Sequence, residues 1–307
     1  MTTAHEGRRR RDPSPWGQCN DVAPWIREVL SAEHWYSDDY PRWGGRETSK
    51  QARWRREVIA KFCARYGSKT DDQDLIDVAE RLLDCHEHNR CMSGACPECN
   101  RALQRFFVAQ AIPYGASKQP LETPKEAVLA SLVAEPISFG GLEGNLFEST
   151  KKRASRLLKA AGVSIALGGI DISLNVDRSN DSHMQWSIHL WFLTYGRHWE
   201  AATRAAYKSP AVPRPLMLKY HDGRRAALAY ALKNSFVQRS SFVQTIENDG
   251  ATRRARNTYA ERMCVDGRAE LYPFLDDQGL ARRVFLIGLK PTLTDGGVFF
   301  NPIAASS

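Results

Sequence analysis

Apolar residues at helical spacing dominate the first third of the chain. Within residues 51–66, Trp54, Val58, Ile59, Phe62 and Tyr66 fall on one face of a predicted helix. Residues 72–85 repeat the pattern with Leu75, Ile76, Ala79, Leu82 and Leu83, and Thr70 or Asp71 stands where a cap is needed. A further helix is predicted from Asn100 onward, burying Leu103, Phe106, Phe107 and Ile112. The character changes across residues 113–124. Residues 126–134 read as a buried strand. Residues 146–161 read as an amphipathic helix, with Ala154, Leu157, Leu158 and Ala161 inward and Lys152, Arg156 and Lys159 outward.

Two alternating stretches follow. Ile170, Ile172, Leu174 and Val176 point one way, and Asp171, Ser173, Asn175 and Asp177 the other. Met184, Trp186, Ile188, Leu190 and Phe192 form one face of the second stretch; Gln185, Ser187, His189, Trp191 and Leu193 form the other. The turn-rich link between them predicts an antiparallel hairpin with a polar stripe on one face. Beyond it, residues 198–207 read as a helix and 210–215 as a loop. Residues 224–238 read as a helix carrying Ala226, Ala229, Tyr230, Lys233 and Val237. Residues 284–289 form a short apolar strand, and Asp295-Gly296-Gly297 a tight turn before Val298 and Phe299. The whole predicts an α+β fold, an antiparallel sheet flanked by helices and preceded by a helical, cysteine-bearing module. The expected division is a disordered basic tail at 1–18, the helical module at 19–112 and the α+β domain at 113–307.

The composition fits a folded chain: 307 residues, 42% hydrophobic and 25% charged. No stretch approaches about 18 uninterrupted apolar residues, so no membrane span is predicted. The first sixteen residues are polar with Arg8–Arg11 in a row and no apolar core behind them, which is not a secretory pattern. The expected location is the cytoplasm. The net charge of +8 makes polyanions the first partners to consider. That charge is uneven. Residues 71–87 hold seven acids and one arginine, whereas residues 197–239 hold nine Lys or Arg and two acids. A second basic run is Lys151, Lys152, Arg153, Arg156 and Lys159. Each run taken singly also reads as a solvated face.

Four of the seven cysteines, Cys85, Cys91, Cys96 and Cys99, lie within 15 residues. Without a secretory leader, such clustering points to metal rather than to a disulfide framework. The Cys96-Pro97-Glu98-Cys99 knuckle lets two thiolates approach one ion, and tetrahedral Zn²⁺ takes four ligands. Cys91, Cys96 and Cys99 are the best candidates; the fourth is Cys85, His86 or His88, of which Cys85 gives the commoner all-thiolate set. The competing readings are a redox pair and reduced, unligated thiols. Cys19, Cys63 and Cys264 read as small core residues.

The order of these features resembles a known group. Cys91…Cys96-Pro-Glu-Cys99 is followed by Gly168-Gly-Ile-Asp171-Ile-Ser-Leu-Asn175, by Trp186-Ser-Ile-His189-Leu-Trp-Phe-Leu and by Tyr230-Ala-Leu-Lys233. Over residues 85–240 this is similar to the rolling-circle replication initiators of plasmids and phages, within the endonucleases named for a His-hydrophobic-His motif. The resemblance implies that Tyr230 attacks a phosphate of single-stranded origin DNA, leaving a 5′-phosphotyrosine and a free 3′-hydroxyl, with Lys233 beside it. It implies Mg²⁺ or Mn²⁺ held by Asp171 and His189 and acting as a Lewis acid. The first histidine position of the motif falls on Ser187 in this chain. His183 has the right parity but stands six residues from His189, about 20 Å along a strand.

Three functions compete on these residues. The first is a single-stranded DNA nickase and joiner, with host replication proteins as further partners. The second is a catalytically inactive, zinc-stabilised protein of a mobile element or phage that holds DNA through Lys152, Arg156, Lys159, Arg224 and Arg225, with salt-sensitive affinity. The third is a zinc-stabilised interaction protein with no nucleic acid role, using Trp16, Trp25, Trp35, Trp43 and Trp54, although these read first as core and loop anchors.

Overall fold

The alternation of residues 170–192 builds the centre of the molecule. The computed structural model describes residues 23–38, 47–116, 127–179, 183–212, 214–248 and 251–303. The chain opens with helices α1 (Pro24–Ser31), α2 (Ser49–Thr70), α3 (Gln73–Leu83) and α4 (Pro97–Ala116). Strands β1 (Ala127–Val133) and β2 (Ile137–Ser138), helix α5 (Leu146–Ala160) and strands β3 (Ala166–Asp177) and β4 (His183–Tyr195) come next. Then follow α6 (Glu200–Ala206), β5 (Leu216–Tyr220), α7 (Arg225–Ala229), β6 (Gln238–Asn248), β7 (Ala251–Glu261) and α8 (Val265–Gln278). Strands β8 (Val284–Ile287), β9 (Leu289–Thr294) and β10 (Gly297–Pro302) close the described chain.

The main sheet runs β5-β1-β4-β3-β6-β7, with β2 added to β4 and β8 added to β3; β9 and β10 form a separate hairpin. β3 and β4 pair antiparallel from Ala166↔Thr194 to Asp177↔His183, as the alternation predicts. The sheet is not antiparallel throughout. β6 runs parallel to β3, from Leu174↔Gln238 to Asp177↔Ser241. The chain leaves β4, passes through α6, β5 and α7, and returns to the far edge of β3, the long crossover that a parallel pair requires. The fold is therefore α+β with a mixed sheet.

The two faces of the sheet differ as the pleat demands. Ile170, Ile172, Leu174, Trp186, Leu190 and Phe192 are fully buried on one face. α8 packs there: its buried Glu270 accepts hydrogen bonds from Trp186 Nε1 at 2.9 Å and from the Gly140 and Leu142 amides at 3.0 and 2.8 Å. One apolar cluster continues from Ile26 on α1 through Phe106 and Phe107 on α4 to the sheet and Phe300 on β10. It crosses residues 112–113 without a break. Trp25 packs on Phe106 and Phe300, Trp35 is buried and Trp54 is exposed. Arg8–Arg11, Trp16, Cys19 and Trp43, like the whole tail at 1–18, lie outside the described residues. Cys63 is buried. Cys264 is only partly buried; its sulfur caps α8 by accepting from the Gly267 amide. No helix among the described residues is long and apolar enough to cross a membrane.

Two local expectations are corrected. Asp71 does not cap α3; it ends α2 in the left-handed conformation (φ 55°), and Asp72 caps α3 by accepting from the Leu75 amide at 3.2 Å. Residues 224–238 do not form one helix. α7 has five residues and tightens into a 3₁₀ turn over Tyr230–Leu232, and the chain becomes extended at Lys233 (φ −56°, ψ 142°). Tertiary contacts explain the break. The Lys233 carbonyl is taken by Arg283 at 2.7 Å, and the Val237 carbonyl by the Leu174 amide on β3. These acceptors lie outside any helix, so the residues leave the helix to reach them.

Candidate functional site

The cysteine cluster is complete. The Cys85–Cys96, Cys85–Cys99 and Cys91–Cys99 sulfurs stand 3.8, 3.7 and 3.8 Å apart, and all four lie within 4.8 Å of one another. These spacings are far too long for disulfides, which measure about 2.05 Å. They match the edge of a tetrahedron around a metal with bonds of about 2.3 Å to sulfur, for which geometry gives about 3.8 Å. The four cysteines can therefore hold a metal ion such as zinc. Cys85 supplies the fourth sulfur, and His86 and His88 are exposed. α4 begins at Pro97, so Cys99 sits in its first turn. A redox pair favours the same place, but four converging sulfurs are a metal set. Burial pushes the Cys91 and Cys96 thiols up, so bare thiolates there need a cation. Helix α2 fastens the cluster: Arg56 donates to the Cys85 carbonyl and pairs with Glu98 at 2.8 Å. Arg90 lies 3.6 Å from the centre of the partly buried Tyr36 ring beside it.

The second candidate is the polar face of the sheet. Asp171 on β3 and His189 on β4 are direct cross-strand partners, and Ser173 opposes Ser187. The turn after α7 covers this face. Gly169 makes that possible, because a Cβ there would stand 2.4 Å from Leu232 and 2.5 Å from the Ala231 carbonyl. Lys233 then reaches Asp171, Nζ to Oδ2 2.6 Å, with side-chain exposures of 13% and 1%. Tyr230 is partly exposed. Its ring meets Trp191 edge-on at 4.8 Å, and the Lys233 ammonium lies 5.3 Å from its centre. Trp191 follows His189 on the same side of β4. Asp171, His189, Tyr230 and Lys233 thus come from three segments to one face. Burial pushes His189 down to about 4; Lys233 and Arg239 act in the same direction and Asp171 opposes them. His189 is neutral at pH 7 on that account.

This donor set does not fit a divalent ion. At the first histidine position of the motif, Ser187 accepts a hydrogen bond from Asn175 Nδ2 at 2.6 Å. His183 is exposed and pairs with Asp177 at the far end of the strands. Neither Asp171 oxygen has a hydrogen-bond partner, but a dication on it would share one carboxylate with the Lys233 ammonium, which pairs with Oδ2 at 2.6 Å. Among the described residues, no metal-type cluster of three or more ligands forms outside the four cysteines.

Arg283 joins the two candidates. It is 1% exposed and sits where the outer edge of β3 is free, between the stretches paired with β8 and with β6. Its guanidinium donates to the Ile170 carbonyl, to the Lys233 carbonyl and to Asn100 Oδ1. Asn100 in turn donates to the Gly94 and Cys96 carbonyls of the cysteine turn at 2.7 and 2.8 Å. Burial pulls Arg283 down to about 10, opposed by the Asp171 charge. Sequence reading missed it, because an Arg-Arg pair before an apolar strand looks like a solvated turn. It also missed Arg239, which pairs in register with Asn175 on the site's face of β6.

The five basic candidates do not share a face. Lys152, Arg156 and Lys159 are exposed on α5. That helix packs on α8 through Phe147 and Phe274, on the apolar side of the sheet. Arg224 and Arg225 are exposed at the start of α7, on the Tyr230 side. Between α2, residues 234–236 and α8, a cleft of about 390 Å³ is lined by Arg55, Asn234, Phe236, Arg262, Arg268 and Tyr272 among others; Asp171, His189, Tyr230 and Lys233 do not line it. No protein-family model matches this chain, and comparison with curated proteins and with solved structures finds no match.

Proposed function

We propose that this protein acts on single-stranded or origin DNA in the manner of a rolling-circle initiator, with zinc in the Cys85/Cys91/Cys96/Cys99 site. Tyr230 attacks a phosphodiester beside Lys233. The Tyr230 Oη–P bond forms, the P–O3′ bond breaks, and the phenolic proton is balanced by the proton gained by the released 3′-oxygen. The observation that carries this reading is the meeting of Asp171, His189, Tyr230 and Lys233 on one sheet face, although Asp171 and Lys233 stand 62 residues apart in sequence. The working place is the cytoplasm, alongside host replication proteins.

A second reading, DNA binding without cleavage, is favoured by one observation: Ser187 and Asp171 are already engaged by Asn175 and Lys233. Incubation with a labelled, randomised single-stranded library separates the two. Strand transfer predicts a covalent adduct that Tyr230→Phe abolishes. A library bound with salt-sensitive affinity but never linked to the protein supports binding alone and sinks the enzymatic reading.

A further inference from the structure

We propose that Lys233 takes the place of a divalent cation: its ammonium, held on Asp171, binds the phosphate presented to Tyr230, so that the site engages a phosphodiester without Mg²⁺ or Mn²⁺. This rests on the proposal that the sheet face handles DNA. Three observations on separate residues lead to it.

The first is position. The ammonium lies on the Asp171 carboxylate at 2.6 Å and 5.3 Å from the Tyr230 ring centre, so it pairs with the one carboxylate that the resemblance gives to the metal. An ammonium has three N–H donors, so one paired with a single carboxylate keeps donors for an incoming oxygen. The second is the lost donor set. Ser187 is held by Asn175, and with only Asp171 and His189 left the face has no cluster that holds a dication. The third is charge. His189 senses one carboxylate, Asp171, against two cations, Lys233 and Arg239, and Arg283 lies buried against the backbone of Ile170 and Lys233. Cations outnumber carboxylates in this cluster, and a phosphodiester anion restores the balance. Arg283 and Gly169 hold the turn that delivers Lys233, so the ammonium is positioned before substrate arrives.

The test uses the full chain with its cysteine-bound metal retained, in buffer freed of other divalent ions. Mn²⁺ binding is followed by electron paramagnetic resonance, and binding of a fluorescent single-stranded oligonucleotide by anisotropy. The expected results are no Mn²⁺ binding that depends on Asp171, oligonucleotide binding that does not require Mg²⁺, and a loss of about tenfold or more in Lys233→Met. One Mn²⁺ bound by the wild type and lost in Asp171→Asn overturns the proposal, as does oligonucleotide binding that collapses without Mg²⁺. If Lys233→Met does not fold, the wild-type titrations decide by themselves. If these results hold and no Tyr230 adduct forms on any DNA, strand transfer falls and the phosphate role of Lys233 stands.

Discussion

The cysteine cluster and the Asp171/His189 face are built on opposite plans. The cluster draws all its ligands from one turn and one helix start, and its sulfurs meet at the edge length of a metal tetrahedron. The sheet face draws on β3, β4 and the turn after α7, and its carboxylate is answered by a lysine. A local site stores its geometry in a short stretch of chain and needs the metal to neutralise its thiolates. A dispersed site depends on packing far from the reacting groups. Arg283 shows that dependence, because one buried guanidinium fastens the residue before Asp171, the carbonyl of Lys233 and the cysteine turn together.

The largest expected effect tests the local plan. Structural zinc sites contribute on the order of 10 kcal/mol of apparent binding free energy, which is folding free energy. That is comparable to the whole stability of a domain. Cys99→Ser is therefore expected to lose the bound metal and cooperative unfolding together, as read by metal analysis and thermal melting. A variant that melts like the wild type breaks the contrast between the two regions.

Arg283→Met comes next. It leaves the Ile170 and Lys233 carbonyls and Asn100 Oδ1 buried without their donor, and it is expected to cost about 3–5 kcal/mol in urea denaturation. The metal content should remain that of the wild type, because Asn100 keeps its own bonds to the cysteine turn. A loss below about 1 kcal/mol means that the guanidinium does not hold the dispersed site.

The smallest effect is set by pH. His189 is pushed from 6.5 down to about 4, so the folded state prefers the neutral imidazole. Stability from this group is fully present above the unfolded value and is lost as pH falls from 6.5 toward about 4. The loss is on the order of 3 kcal/mol. Acid also releases metal from thiolates, so the comparison is with His189→Gln, whose stability should fall less over the same window. Identical pH curves for the two proteins remove His189 from the buried face.

The strands β3 and β4 were legible because a two-residue period survives any surroundings, and α2, α3 and α5 because their apolar residues repeat at helical spacing. The cysteine spacing was legible for the same local reason, and the all-thiolate set it favoured, with Cys85 over His86 and His88 as fourth ligand, is the one whose sulfurs converge. The β6–β7 hairpin and α8 were not read in advance. The residues of the former carry arginines rather than an apolar alternation, and Pro273 interrupts the pattern of the latter. The helix expected over 224–238 failed because the bonds that end it belong to Arg283 and to the edge of β3.

What the sequence determined by itself was therefore local: the periods of the elements, the four thiols within reach of one ion, and the identity of the polar stripe beside a tyrosine and a lysine. Only the tertiary structure decided that β6 returns parallel to β3, that Lys233 answers Asp171, and that Ser187 is taken by Asn175. Those outcomes depend on which buried donors and acceptors meet across long stretches of chain. A buried carboxylate or carbonyl accepts whichever partner the packing delivers, and no spacing along the sequence encodes that choice.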